Sequence, residues 1–385
     1  MESIRQVIKA NRAYFCLDCG KCTSVCPISW RDPTFSPRAM VEATRLDGSI
    51  LHDDQLWECL TCGRCTQICP SDVRFLGFVR DMRALARDAS ARGHCSHGAA
   101  VQTWMRLMAN PDLEQSRLDW LIDDEDTPPH LRELRTADRS DTILFTGCLP
   151  YYQVLFGKIG AQGVEIAKSA VKVLNHLGIE PMVLADERCC GHDLLWEGEV
   201  DTFRRLAALN TERLHATGAK RIVTTCPECA LTLKRDYQLD MQVLHISQLL
   251  AASELEIGAG GFQDENGRGR PVTYQDPCRL GRHMDVYEEP RQMIAALGLE
   301  LTEMGSNRGR AICCGTSAWT HCGATAKSIQ VDRLREARAT GAETLVTACA
   351  KCQIHFKCAQ NDPQLEDELN IEIKDLITLV AYAIS

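Results

Sequence analysis

Two Cys-Cys-Gly triplets, Cys189–Cys190–Gly191 and Cys313–Cys314–Gly315, pose the chemical question in this chain. Neighbouring cysteines cannot easily close a disulfide, and two free thiols side by side invite oxidation. Each triplet belongs to a set of five: Cys148, Cys189, Cys190, Cys226 and Cys229, then Cys278, Cys313, Cys314, Cys349 and Cys352. Five sulfurs exceed the four that tetrahedral zinc or a cubic [4Fe–4S] cluster takes. The sets therefore suit either an iron–sulfur cluster that is not an ordinary cube, or a cube beside a free reactive thiol. An ordinary zinc site leaves the duplication of all five positions unexplained. Gly191 and Gly315 would let the backbone pass close to a metal.

Two further runs lie near the start. "CLDCGKCTSVCP" supplies Cys16, Cys19, Cys22 and Cys26, and "CLTCGRCTQICP" supplies Cys59, Cys62, Cys65 and Cys69. Both follow C-x2-C-x2-C-x3-C-P, the spacing of bacterial ferredoxins. Three thiolates on one tight loop reach three irons of a cube, and the fourth, beyond the turn, reaches the neighbouring cube. The expected ligand sets are crossed: Cys16, Cys19, Cys22 and Cys69 for one cubane cluster, and Cys59, Cys62, Cys65 and Cys26 for the other. Zinc also accepts C-x-x-C, but two complete copies ending in Cys-Pro favour clusters.

The 21 cysteines in 385 residues are far more than packing needs. The short C-x-x-C clusters and an opening, "MESIRQVIKANRAY", without an apolar signal core favour a metal protein over a secreted disulfide scaffold. The expectation is a cytoplasmic metal protein. No apolar run is long enough to span a bilayer, so direct membrane insertion is not expected, and any attachment would come through a partner. A net charge of −9 argues against a nucleic-acid surface.

What must position these sulfurs is a multidomain α+β chain. Residues 1–108 read as a mainly helical ferredoxin-like domain. "SPRAMVEATRLDG" gives a helix with Pro37 in its first turn and Gly48 past its end, and "RFLGFVRDMRALARDAS" gives another. Residues 109–140 are polar, acidic and broken by Pro128 and Pro129, hence a linker. From residue 141 the chain repeats itself. "DTILFTGCLPYY" answers to "PVTYQDPCRLGR", and "ATGAKRIVTTCPECALTL" to "ATGAETLVTACAKCQIHF". Each half reads strand, helix, strand, CCG, helix, strand, C-x-x-C, helix, which predicts two α/β domains at 141–257 and 271–385 with mainly parallel strands and pseudo-twofold symmetry. The join at 258–270 is rich in glycine but lacks G-x-G-x-x-G after a strand, so no dinucleotide site is expected there. The closing "LITLVAYAIS" reads as a docked helix.

Two C-x(n)-CCG-x(m)-C-x-x-C motifs behind a two-cluster domain resemble the heterodisulfide reductase family. The likeness is to the catalytic CCG subunit fused behind the small ferredoxin-like subunit, the arrangement called D-type. The resemblance covers nearly the whole chain. It implies that each five-cysteine set binds a non-cubane [4Fe–4S] cluster, and that the two clusters face each other and split a disulfide. The N-terminal segment looks like the helical two-cluster domains of respiratory iron–sulfur subunits. Related layouts occur in glycolate, lactate and anaerobic glycerol-3-phosphate oxidation systems, which often lack parts of the C-terminal C-x-x-C elements. Here "TTCPECA" and "TACAKCQ" are both intact. Heterodisulfide-reductase-like subunits also serve large complexes such as tungsten-type benzoyl-CoA reductases.

The resulting expectation is an oxidoreductase subunit that carries electrons through two cubane clusters to two CCG clusters and reduces a disulfide. The alternative is a relay subunit of an anaerobic complex with no disulfide of its own. With no flavin, nicotinamide or quinone motif, electrons would come from a flavin-containing or membrane-cytochrome partner, within a larger multi-subunit complex. His192, directly after the first CCG, is a candidate proton donor to a leaving thiolate. Its counterpart is Thr316, so a shared role lacks support and a local hydrogen bond is the plainer reading. His321 and Cys322, the "RGHCSHG" stretch with Cys95, and Cys358 read as packing or loop residues. Lys21 and Arg64 could tune cluster potentials by charge, or be solvated loop charges.

Overall fold

The computed structural model describes residues 2–46, 49–253, 262–263 and 267–384. Gly48 and most of the 258–270 join lie outside them. The chain divides into two compact units, one of Met1–Asn110, Gly191–Arg205 and Ile312–Asp332, the other of Pro111–Cys190, Leu206–Ala311 and Arg333–Ser385.

Helices build the first unit. Pro37–Leu46 begins on its proline, where a missing N–H costs nothing. Phe75–Asp88 turns Phe75, Phe78, Val79, Met82 and Ala86 inward at helical spacing. Arg83, on the same buried face, is fully enclosed. Its guanidinium donates to the carbonyls of Leu56 (2.9 Å), Trp57 (3.1 Å), Cys59 (2.8 Å) and Trp196 (2.9 Å). One planar fork thus fixes the backbone running into the second cysteine run. The segments after each CCG belong to this unit. Gln102 Nε2 donates to Ala318 O at 3.1 Å, and the Thr61 and Ser317 hydroxyls lie 2.8 Å apart. Sequence repetition predicts them as continuations of the two α/β domains, but burial of their apolar and hydrogen-bonding faces assigns them here.

The second unit holds two parallel sheets. In the first, β1 (Thr142–Leu144), β2 (Arg221–Thr224) and β3 (Gln242–His245) run in the order 1-2-3. Thr142 is opposite Arg221, and Thr224 opposite His245. Met182 makes an isolated parallel bridge to Ile143 on the other side of β1. The second sheet orders β4 (Pro271–Gln275), β5 (Glu300–Leu301), β6 (Thr344–Thr347) and β7 (Glu372–Asp375) as 5-4-6-7, all parallel. With Met182 standing where β5 stands, the two sheets share one topology, which is the internal repeat expressed as structure.

Residues 111–140 carry two single 3-10 turns, Asp119–Leu121 and Pro129–Leu131, with Trp120 and Leu131 buried. Buried Lys168 holds them down through Asp123 Oδ1 (2.8 Å), Ile122 O (3.1 Å) and Thr127 Oγ1 (3.2 Å). The terminal helix Leu376–Ala383 buries Leu376, Ile377, Val380 and Ala381 and packs on Gly163–His176. Among the described residues no helix is long and apolar enough to cross a membrane.

The same position caps a helix in each half. His245 Nδ1 accepts from Ser247 N and its Nε2 donates to Thr225 O at 3.0 Å. Burial brings this imidazole down to about 4, so it stays neutral. Its counterpart Asp375 accepts from Ile377 N at 3.1 Å, and burial pushes this carboxyl up from 3.8 to about 7. The unfolded chain releases that proton near 3.8 while the folded chain keeps it to about 7. Stability from this group therefore falls as pH rises between those values, by up to about 1.4 kcal/mol per pH unit, and is level above. Asp375→Asn keeps a capping oxygen and removes the charge. Its unfolding midpoint should exceed that of the wild type by more at pH 8 than at pH 5. Parallel midpoint-against-pH curves for the two proteins would contradict this assignment.

Candidate metal centres

The two N-terminal runs share one backbone design. Gly20 (φ 75°) and Gly63 (φ 86°) start the short helices Lys21–Ser24 and Arg64–Gln67. Asp18 and Thr61, at matching positions, also take left-handed φ of 53° and 45°. Such strain in non-glycine residues persists only where surroundings dictate the loop shape. The loops bring sulfurs of the two runs together. Cys26 interacts electrostatically with Cys62, and Cys65 with Cys59, Cys62 and Cys26. Cys69 lines a pocket with Cys16, Cys19, Cys22 and Cys65. Cys59, Cys62 and Cys26 are buried, whereas Cys19 is exposed. Burial pushes the Cys59 thiol up to about 12, and Cys65 well above its ordinary value. Thiols this reluctant to ionise in an apolar pocket become thiolates when a cation replaces the proton. Thr61 N and Val73 N approach the sulfurs of Cys59 and Cys69, each at 3.4 Å, the kind of bond that tunes a bound cluster. Arg64 stacks over the Trp30 ring at 5.1 Å, and Lys21 is exposed.

The first CCG set converges at the carboxyl ends of β1 and β2, where parallel sheets place ligands. Cys148 Sγ lies 3.3 Å from Cys189 Sγ. Cys190 shares hydrogen bonds with Cys189 and Cys229, which pull its thiol down, and Cys229, bonded to Cys190 and Cys226, is pushed well up. Within this sulfur group Cys189 thus meets Cys148 and Cys190, and Cys190 meets Cys229. Gly191, at φ 77°, turns the chain away after them. Cys226 stands at the N-terminus of helix Pro227–Arg235, and Cys349 at that of Ala350–Gln360, where the helix dipole favours a thiolate.

Residues outside the motifs hold this loop. Asn210 Nδ2 donates to Arg188 O and Cys189 O, both at 3.1 Å, and its Oδ1 accepts from Arg188 N at 3.0 Å. Tyr237 OH donates to Cys190 O at 3.0 Å. Glu187 is buried and accepts from Thr146 N (3.1 Å), Thr146 Oγ1 (3.0 Å) and Gly147 N (2.8 Å), tying the Cys148 loop to the Cys189 loop. Burial raises this carboxyl to about 7, with Arg117 opposing. No sequence signal marks these side chains.

Of the second set, Cys278, Cys349 and Cys352 lie in the unit with the sheets, and Cys313 and Cys314 open the 312–332 segment of the helical unit. All but half-buried Cys278 are buried. Here the organising carboxylate comes from the other loop. Asp276 accepts from Arg291 (2.8 and 2.9 Å) and from Arg308 N (2.7 Å), and Arg282 donates to Ala311 O at 2.6 Å. Gly315 has φ 93°, and a Cβ there would sit 2.7 Å from Ala326 O, so only glycine fits.

His192 is buried with its ring centroid 5.8 Å from that of Trp196. His321 Nε2 lies 3.4 Å from Glu58 Oε1. Cys95 donates to Glu197 Oε1 at 3.2 Å and, with exposed Cys322, lines a surface cleft. Cys358 is half-buried on helix Ala350–Gln360. The donor chemistry fits iron–sulfur groups: soft sulfur donors, most of them buried, with one set numbering five.

Residues 142–234 and 272–357 match the cysteine-rich CCG domain, and residues 12–73 match the 4Fe-4S dicluster domain. The D-type chain of the dihydromethanophenazine:CoB–CoM heterodisulfide reductase from Methanosarcina acetivorans is 32% identical over 71% of this chain and 65% of its own length. One chain of the fumarate reductase (CoM/CoB) from Methanothermobacter marburgensis is 31% identical over 62% of this chain and 46% of its own. An EtfAB:quinone oxidoreductase from Syntrophomonas wolfei is 28% identical over 54% of this chain and 30% of its own. The match thus spans under two thirds of each relative.

Gly147 tests the convergence. It has φ 60°, and a Cβ there would lie 2.7 Å from Cys229 Sγ. Gly178 has a similar φ of 72° with nothing within 4 Å. Gly147→Ala should lower iron and acid-labile sulfide per chain, whereas Gly178→Ala, equally strained, should keep both. Equal metal content in the two variants would separate Cys229 from the metal.

Proposed function

Because the chain belongs to the family of D-type heterodisulfide reductase subunits, iron–sulfur proteins of electron transfer, we propose that it conducts electrons to a pair of CCG centres and there reduces a small-molecule disulfide. The observation that carries this reading is the convergence of Cys148, Cys189, Cys190, Cys226 and Cys229 into one group. Cys16, Cys19, Cys22 and Cys69 would hold one cubane cluster, and Cys59, Cys62, Cys65 and Cys26 the other. The two five-cysteine sets would each hold a non-cubane cluster. Bound there, such groups take up and release electrons singly, and two electrons with two protons convert a disulfide into two thiols. The polypeptide's part is to exclude water, hold the sulfurs ready and fix the CCG loops through Glu187, Asn210 and Tyr237. His192 remains the candidate proton donor.

Electrons would arrive at the first run. Cys19 is exposed, and around the two runs Tyr14, Phe15, Leu17, Trp30 and Ile68 are exposed as well, Leu17 to 70%. Large apolar side chains so placed mark a docking face. The donor would be a flavin-containing or membrane-cytochrome subunit of a larger complex in the reducing cytoplasm. A relay without its own disulfide is the second reading. It is favoured by the relatives named for fumarate and quinone chemistry, which share these cysteine domains.

Two experiments test this. Protein purified anaerobically with its native partners should give a new paramagnetic EPR signal when an accepted disulfide is added, and none with the corresponding thiol. No response to any member of a disulfide panel, in protein carrying a full iron complement, would select the relay. Separately, Leu17→Glu should slow reduction by the co-purified electron donor roughly tenfold or more and leave reduction by dithionite unchanged. Equal rates from the donor would remove this face from electron uptake.

A further inference from the structure

The second of the two intervening positions of each C-x-x-C motif carries a charge, Glu228 between Cys226 and Cys229 and Lys351 between Cys349 and Cys352. These two side chains form an ion pair, with side-chain exposures of 10% and 4%. Both stand in the first turn of their helices, Pro227–Arg235 and Ala350–Gln360. Glutamate suits that place, because the helix N-terminus is the positive end of its dipole. Lysine does not. It meets the dipole head-on and is also among the residues least often buried. A buried pair of this kind adds little stability over two apolar side chains of similar volume, so fold stability does not account for it.

Its place beside the sulfurs does. We propose that the Glu228–Lys351 pair is a positioning and polarising element. It ties the two C-x-x-C turns together and sets a negative charge beside the first thiol set and a positive one beside the second. This rests on the reading that each set holds an iron–sulfur group. Thiolate-ligated clusters are negatively charged, and reduction adds one more negative charge. A carboxylate nearby disfavours that added electron, and an ammonium favours it. The first CCG centre therefore has the lower midpoint potential and the second the higher, and an arriving electron settles on the second. Neither side chain touches substrate in this scheme. Each acts through the sulfurs it flanks.

The charge-reversed variant E228K/K351E separates this role from packing, because it keeps one buried pair of the same composition. In EPR-monitored redox titration of the holo-complex, the reversal should raise the midpoint of the first CCG centre and lower that of the second. Each shift should amount to at least a tenfold change in the reduced-to-oxidised ratio at fixed poise, about 59 mV for a one-electron couple. E228Q should raise the first midpoint more than the second, and E228M/K351M should draw the two together. Unchanged midpoints in variants retaining wild-type iron and sulfide would overturn the polarising role and leave the proposed function standing. Absence of any CCG-centre signal from iron-replete wild-type protein would instead overturn that function, and the pair's role with it.

Discussion

A thiol bound to iron must be a thiolate, and a thiolate taken from water is expensive. That conflict governs this structure. Burial, reinforced by the neighbouring thiols, holds Cys59 and Cys65 in their protonated forms. The fold answers by supplying, at each sulfur group, the few features that favour negative charge without admitting water. These are helix N-termini behind Cys226 and Cys349, backbone N–H groups at Cys59 and Cys69, and left-handed turns that aim the thiols inward. Architecture elsewhere is ordinary, with short parallel strands and amphipathic helices. Left-handed non-glycine residues occur inside the cysteine runs at Asp18 and Thr61, and elsewhere as well, as at Ser90 and Glu133.

The repeat solves the same problem twice with different residues. In the first half a glutamate on the CCG loop, Glu187, reaches back to the Cys148 loop. In the second half an aspartate on the Cys278 loop, Asp276, reaches forward to Arg308 on the loop before the CCG. Helix-capping has drifted likewise, from His245 to Asp375. By the repeat alignment Asn210, which clamps the first Cys-Cys backbone, corresponds to Arg333, whose Nε donates to Gln275 Oε1 at 2.6 Å. What the two halves share is therefore the sequence spacing of cysteine and glycine. The supporting polar network was free to change as long as each buried carboxylate or amide found partners.

This explains which parts were legible in the sequence. Cysteine spacing is rigid because coordination chemistry is rigid, so the two cysteine runs, the two CCG repeats and most of the strand–helix order could be read from one chain. The parallel sheets followed from the repeat, but the strand after each C-x-x-C helix, β3 and β7, was not read from the sequence, and the strand predicted at Met182 shrank to a single bridge. Contacts between distant residues leave no such trace. Asn210 sits mid-helix in "LAALNTER" and Glu187 precedes an arginine, and neither local pattern shows that both meet the CCG backbone. Residues 111–140 have a linker's composition, and only Lys168, distant in sequence, reveals that they are held down. The segments behind each CCG repeat in sequence, yet periodicity records that a helix has an apolar face and not which surface receives it.

A gradient in solvent access runs through the sulfur groups. Cys19 meets solvent, Cys16, Cys22 and Cys69 are half-buried, and Cys26, Cys59 and Cys62 are enclosed. Exposure stabilises the extra negative charge of a reduced cluster, while burial penalises it unless protein dipoles compensate. Under the proposed ligand sets, the first cluster position therefore suits an exchange site with an external donor, held by a loop whose own apolar side chains face outward. The second, with Arg83 drawing the carbonyls at its threshold into one fixed fork, suits an internal relay whose surroundings barely reorganise when charge arrives. Low reorganisation comes from polar groups that are already oriented, and the same fully bonded guanidinium that stabilises the helical unit keeps that orientation. The demands of folding and of electron passage thus meet in one side chain, which is why a cation lies buried beside sulfurs that need negative charge stabilised.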